Sequence, residues 1–121
     1  MTFRVMVVKK DGRPIGVRAA KINGRVIIIA LQDEPQQMSW YDAVKIGIPT
    51  KNEWMAIAEN LDAVNKALVI AGGEPLKKSW YWSSSEYSDY NAWYSYFYGS
   101  YGLDLGGKYT DNCYVRPVLA L

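Results

Sequence analysis

Histidine is absent from the 121 residues, and cysteine occurs once, as Cys113. The first absence removes the commonest metal ligand and the commonest general base. The second excludes an intramolecular disulfide and a cysteine metal cluster. No apolar run approaches the roughly 18 residues of a membrane span, so no membrane insertion is expected. The opening MTFRVMVVKKDG holds an apolar patch too short and too strand-like for a signal peptide, so work outside a cell would need another delivery route, such as particle assembly followed by lysis. Basic residues are scarce where aromatics abound: residues 80–114 contain only Lys108. Single-stranded nucleic acid is bound by aromatics interleaved with Lys and Arg, so no nucleic-acid partner is expected.

Half of the residues are hydrophobic, 21% are charged, and the net charge is +2. These are ordinary values for one globular domain, here residues 1–121. The charge is uneven, with seven basic residues against Asp11 alone in residues 1–30. Such a strip could touch nucleic acid or a neighbour in a virion, but no recognition motif accompanies it, and the preferred reading is solvated strand faces and turns.

What is abundant lies in residues 80–121. Nine of the ten tyrosines, three of the five tryptophans and six of the eight serines fall there. Tyrosine gives a large, stiff, amphipathic contact at low entropy cost, while Ser, Gly and Asn give adaptable hydrogen bonds, which is the composition of an antibody-like paratope. A buried core would need a partner for every hydroxyl. Residues 80–121 are therefore expected to hold a binding surface with its framework, and residues 1–79 the scaffold.

In the scaffold, residues 3–8, 15–20 and 25–31 read as strands joined by turns at Asp11-Gly12 and Asn23-Gly24. The run RVIIIAL suits a strand buried on both faces. Ser39 with Asp42 opens a short helix over Trp40–Ile46 that Gly47 ends. Thr50 and Glu53 form a capping box for a long helix whose stripe Trp54, Ile57, Ala58, Leu61, Val64, Leu68 and Ala71 runs to Gly72-Gly73. Trp54 reads as core. Beyond residue 80, residues 92–97 and 114–119 look like strands between Gly- and Ser-rich loops, with Pro117 confining the last to an edge. The expected class is α+β, with antiparallel sheets, two helices and a loop-rich C-terminal half.

Catalytic readings are weak. Ser83-Ser84-Ser85 has neither a histidine partner nor a nucleophile elbow, and Gly102, Gly106 and Gly107 form no phosphate-binding fingerprint. Cys113 has only Lys108 and Arg116 as nearby basic residues. Glu86, Asp89, Asp104 and Asp111 lack the alternating spacing of a calcium loop, so no metal and no cofactor is expected.

The segments IPTKNEW, WSSSEYS, NAWY and YVRPVLA together resemble one known group, the C-type-lectin-fold variable proteins of diversity-generating retroelements in phages and bacteria. The matched segments cover residues 48–54 and 80–121. The wider superfamily includes formylglycine-generating-enzyme-like domains, whose catalytic cysteine pair is absent here, so that activity is not carried over.

In the group resembled, an error-prone reverse transcriptase replaces adenines, and asparagine codons are favoured targets. Residues 98–113 read YGSYGLDLGGKYTDNC, and only Lys108 lies outside what randomised AAC or AAT codons reach. The resemblance implies a C-type lectin fold and a non-enzymatic protein that binds a protein or glycan on a target cell surface. It implies a framework of Trp82, Ser83, Ser84, Trp93, Phe97, Val115, Arg116 and Pro117. The displayed, variable set would be Tyr90, Asn91, Ser95, Tyr98, Ser100, Tyr101, Leu103, Asp104, Leu105, Tyr109, Thr110, Asp111 and Cys113. Two other readings stay open: an assembly module of a phage tail or pilus tip, oligomeric through its aromatic face, and a calcium-dependent sugar-binding lectin.

Overall fold

Two dipeptides shape the N-terminal sheet. Asp11-Gly12 and Asn23-Gly24 hold positive φ at both residues (53° and 78°, 50° and 77°), as a two-residue hairpin turn requires. They join β1 (Met6–Lys10), β2 (Arg13–Ile22) and β3 (Arg25–Ala30) into an antiparallel sheet in that order. The computed structural model describes residues 3–98 and 100–120. Helices cover this sheet on one face only, where Val17, Ala20, Ile27 and Ile29 are buried. Val26 is exposed and Ile28 half-buried, so the continuous apolar run of β3 is not buried on both sides as its sequence implies.

Helix α1 (Trp40–Ile46) starts at Ser39, whose side chain accepts from the Asp42 amide, and stops at Gly47, φ 92°. Helix α2 (Lys51–Ala58) starts with the complete Thr50–Glu53 capping box. The expected long helix is two helices. It breaks at Glu59-Asn60, and α3 runs Leu61–Ile70. Asn60 leaves helical geometry (φ −112°, ψ 19°) and makes no side-chain cap. Its Nδ2 donates instead to the Ala19 carbonyl at 3.1 Å, next to a register shift that drops Ala19 out of the β2–β3 ladder. Asparagine competes with the helix by bonding backbone elsewhere, and here a bulged strand offers the acceptor. The apolar stripe survives the break, with Trp54, Ile57, Ala58, Val64 and Leu68 in the core.

A second antiparallel sheet follows, β4 (Trp80–Glu86), β5 (Asn91–Tyr96) and β6 (Gly102–Gly107), ordered β4-β5-β6. Residues 114–119 are not a strand. They stitch the sheets together through single bridges, Tyr114 to Tyr81 and Val118 to Ile29. Pro117 sits where no donor is needed, its carbonyl accepting from Ala30 N at 2.9 Å. The chain is thus α+β, with two three-stranded antiparallel sheets and three helices among the described residues. None of those helices is long and apolar enough to cross a membrane.

One buried ion pair locks the stitching. Arg116, fully buried, donates from Nε to Asp33 Oδ1 at 2.7 Å, from Nη1 to the Ala30 carbonyl at 3.0 Å and from Nη2 to the Glu74 carbonyl at 3.0 Å. Asp33 Oδ2 accepts from Lys77 Nζ (2.6 Å) and from the Tyr81 hydroxyl (3.0 Å). Burial, then the Asp33 charge, push the Tyr81 hydroxyl pKa well above its ordinary value. Asp33→Ala would leave a buried, uncompensated guanidinium and is expected to cost about 3–5 kcal/mol, read as a lowered urea midpoint. Arg25→Ala, which removes the exposed partner of Glu53, should cost under about 1 kcal/mol. Equal losses would show that the buried pair has no special weight.

Candidate ligand-binding face

Directly paired residues of an antiparallel ladder share a face. The pairs Trp82–Tyr94–Asp104, Trp80–Tyr96–Gly102 and Ala92–Gly106 therefore lie on one side of the second sheet. The pairs Tyr81–Ser95–Leu103, Trp93–Leu105 and Asn91–Gly107 lie on the other.

The first side rests on a second hydrophobic cluster. Its buried members are Trp40, Ala43, Ile48, Trp82, Ala92, Cys113 and Val115, with Tyr41, Trp80 and Tyr94 half-exposed at its rim. Exposed tyrosines stand on that rim. Tyr98 packs edge-on against Trp80 (centroids 6.1 Å apart), and Trp80 packs against Tyr94 (5.8 Å). Tyr109 lies on Tyr41 at 5.0 Å, and Tyr41 stands edge-on to Trp40 at 5.6 Å. Such pairs add roughly 0.5–1.5 kcal/mol beyond area burial, enough to hold rings that are largely in water. Two glycines of β6 make room. A Cβ at Gly106 would come within 3.2 Å of Tyr94 and 3.3 Å of Trp82, and one at Gly102 within 2.5 Å of the Tyr96 hydroxyl.

Lys108 fixes the end of this face. Its amide donates to the Tyr90 carbonyl (2.9 Å), and its carbonyl accepts from Trp40 N (3.0 Å). Its Nζ donates to Glu86 at 2.8 Å and lies 4.7 Å from the Trp40 ring centroid. With its side chain only 3% exposed, it is a clamp that ties the Tyr109 turn to α1, and no free cation for a ligand.

The serine run of β4 ties the sheet together and to α2. Three residues of β4, Ser83, Ser84 and Ser85, oppose one residue of β5, Trp93. Ser83 Oγ donates to the Trp93 carbonyl at 2.6 Å, which closes the gap left by the bulge. Ser85 Oγ accepts from Lys51 N at 3.0 Å, at the start of α2.

The thirteen positions expected on the displayed surface divide three ways. Tyr90, Tyr98, Ser100, Tyr101, Asp104, Tyr109, Thr110 and Asp111 are exposed. Of these, Tyr98, Asp104 and Tyr109 belong to the aromatic face just described. Ser100 and Tyr101 line a separate hollow over α3, with Leu61, Asp62 and Asn65. Asn91, Leu103 and Leu105 are half-buried and lie on the opposite side of the sheet.

Ser95 and Cys113 are corrections. They are 2% and 1% exposed, so neither is displayed. Ser95 shares the inner face with Tyr81, and Cys113 bridges to Met38 within the second cluster. Conversely, Trp80, Tyr94 and Tyr96 belong to the face and were not expected there. The strand alternation of AWYSY carries that signal, since Tyr94 and Tyr96 fall on the side opposite Ser95. Tyr41 was missed because it arrives from α1, far upstream.

Among the described residues, no three His, Cys, Asp or Glu side chains converge as metal ligands. Burial, then the neighbouring Asp104, raise the Tyr94 hydroxyl pKa. No protein-family model, no curated protein and no solved structure matches this chain.

Burial pushes the Cys113 thiol up to about 12 from an ordinary 9.0. The folded thiol holds its proton more tightly than the unfolded one. Its contribution to stability is therefore full below pH 9.0 and is lost as pH rises towards 12. Only thiolate reacts with thiol reagents, so near pH 8 the native protein should be modified on the order of a hundredfold more slowly than protein in denaturant. Equal rates would place Cys113 at the surface.

Proposed function

We propose that this chain is a non-enzymatic ligand-binding domain with a C-type lectin fold, whose second sheet displays a diversified Tyr-rich surface to a protein or glycan on a target cell. The observation that carries this reading is the stacking of exposed tyrosines, Tyr98 and Tyr109, on half-exposed Trp80 and Tyr41 at the rim of a buried tryptophan cluster. Rings supported from below are ordered before a ligand arrives, so binding loses little side-chain entropy. The α+β architecture and the rib-like roles of Ser83, Phe97, Val115 and Arg116 are in keeping with the lectin fold. Lys108, the residue of its segment that randomised asparagine codons cannot reach, is buried and acts as a clamp, in keeping with a fixed position between variable ones.

Truncating an anchor at such a surface costs about 2 kcal/mol or more, roughly thirtyfold in affinity. Tyr98→Ala with Tyr109→Ala is expected to abolish binding to a target identified on protein and glycan arrays, with the melting temperature nearly unchanged. Tyr101→Ala, over α3, should have little effect. Lost stability with retained binding would sink the reading, and binding abolished by a chelator would favour the calcium-dependent lectin instead. The diversification itself has a genomic test: a near-identical non-coding copy of the segment for residues 80–121, differing at adenines and beside a reverse transcriptase.

A further inference from the structure

Among the described residues no helix packs across the outer side of the N-terminal sheet, which only the end of α1 approaches at Ile46, and its composition is ordered. The pairing places Met6, Arg18 and Ile28 in one row, Val8, Gly16 and Ala30 in the next, and Lys21 beside Val26. Arg4, two residues before β1, is exposed close to this side. Met6 and Val26 are exposed, and Val8 and Ile28 are half-buried. A Cβ at Gly16 would meet Leu119 Cδ1 at 2.8 Å, so Leu119 folds onto this side and extends its apolar strip. Beyond β3 the strip continues into an open groove of about 700 Å³ lined by Val26, Ile28, Ile46, Ile48, Val118 and Leu119.

The charges around the strip are mostly positive; the acids near it are Glu53, which lines the groove, and Asp11 in the turn between β1 and β2. Arg4, Lys9, Lys10, Arg13, Arg18 and Lys21 have no carboxylate partner among the described residues. Arg25 has one, Glu53, at 3.0 Å. Arg18 sits between Met6 and Ile28, with Nη1 3.8 Å from Met6 Sδ and its guanidinium 5.4 Å from the Phe3 ring centroid.

We propose that this side of the sheet is a docking surface for a protein segment whose side chains alternate between acidic and apolar. Charge complementarity requires the acids, and the apolar positions between the cations require the rest. A second copy meeting the same side would oppose like charges. A nucleic acid could satisfy the cations and would leave Met6, Val26 and the groove without contacts. Of the residues named for this surface only Ile48, at the end of the groove, also belongs to the cluster beneath the aromatic face, so the domain would be held on one sheet while the other reads its ligand.

The test uses a short synthetic peptide of alternating glutamate and valine, titrated into the full chain and followed by amide chemical shifts. A lysine–valine peptide, a DNA duplex and phosphatidylserine vesicles are the comparison probes. The glutamate peptide is expected to bind, to shift amides of Met6, Arg18, Val26 and Ile28, and to weaken about tenfold or more when salt reaches a Debye length of a few ångströms. Arg18→Glu with Lys21→Glu should remove binding, as should Arg4→Glu in part, at an exposed position that does not threaten the fold. Met6→Gln with Val26→Thr should weaken it at least fivefold while leaving the melting temperature unchanged. No binding at low salt would overturn the proposal. So would tighter binding of DNA or vesicles that ignores Met6→Gln and Val26→Thr, which would make the surface a general anion site.

Discussion

The serine bulge of β4 is the point on which both hydrophobic clusters hang. A bulge frees backbone carbonyls from the ladder, and here two indoles take positions around it. Trp54 Nε1 donates to the Trp82 carbonyl at 3.0 Å, and Trp40 Nε1 donates to the Ser83 carbonyl at 2.9 Å. Trp54 belongs to the first cluster and Trp40 to the second. A third indole, that of Trp82, reaches back to the Met38 carbonyl at 2.9 Å. Each bond satisfies a donor that would cost about 1–3 kcal/mol if buried alone. Small hydroxyl side chains are what this place needs, because they fill the unmatched ladder positions without competing for space with three tryptophans. The WSSS run reads from composition as adaptable loop, yet its physical task is rigidity.

The Asp33–Arg116 pair is a second fixed point, and it works differently. It buries two charges, which in isolation is unfavourable, and compensates with hydrogen bonds to carbonyls of β3 and of residue 74 and with the Tyr81 hydroxyl. Its effect is to fix where residues 114–118 cross between the sheets. The crossing in turn places Cys113 and Val115 beneath the aromatic face and Tyr114 against the first cluster. The pair adds to the backbone hydrogen bonds that residues 114–119 make with both sheets, such as Glu34 N to the Val115 carbonyl at 2.8 Å and Leu119 N to the Ile28 carbonyl at 2.8 Å.

The sequence was most legible where local chemistry decides. Both hairpin turns, the Ser39 cap, the Thr50–Glu53 box and Trp54 in the core follow from neighbours a few residues away. It was least legible where pairing decides. β6 reads GLDLGG, poor strand material, and becomes a strand because all six residues find partners on β5. That also explains why the expected displayed set divides between the two sides of the sheet. A loop can present Leu103, Asp104 and Leu105 together, whereas a strand sends Asp104 to one side and the leucines to the other. The break at Asn60 depends on a carbonyl forty-one residues earlier, which no local pattern contains. Asp33 carries no signal in its surroundings for the pair it makes with Arg116.

The structure also separates positions that can vary freely from those that cannot. At Tyr98 and Tyr109 a change of side chain alters what is offered to a ligand and removes one ring contact to the rim. At Ser95 the hydroxyl is buried with no hydrogen-bond partner among the described residues. Replacement there by alanine removes an unsatisfied group and should be neutral or stabilising, while any large side chain must displace Tyr81 or Leu103 across the ladder. Cys113, against Trp82 and Val115, is under the same restriction. Under the proposed function, a range of specificities would come from the rings and loop side chains above the tryptophan cluster, and the inward half of each strand limits how far substitution can go before the face itself is lost.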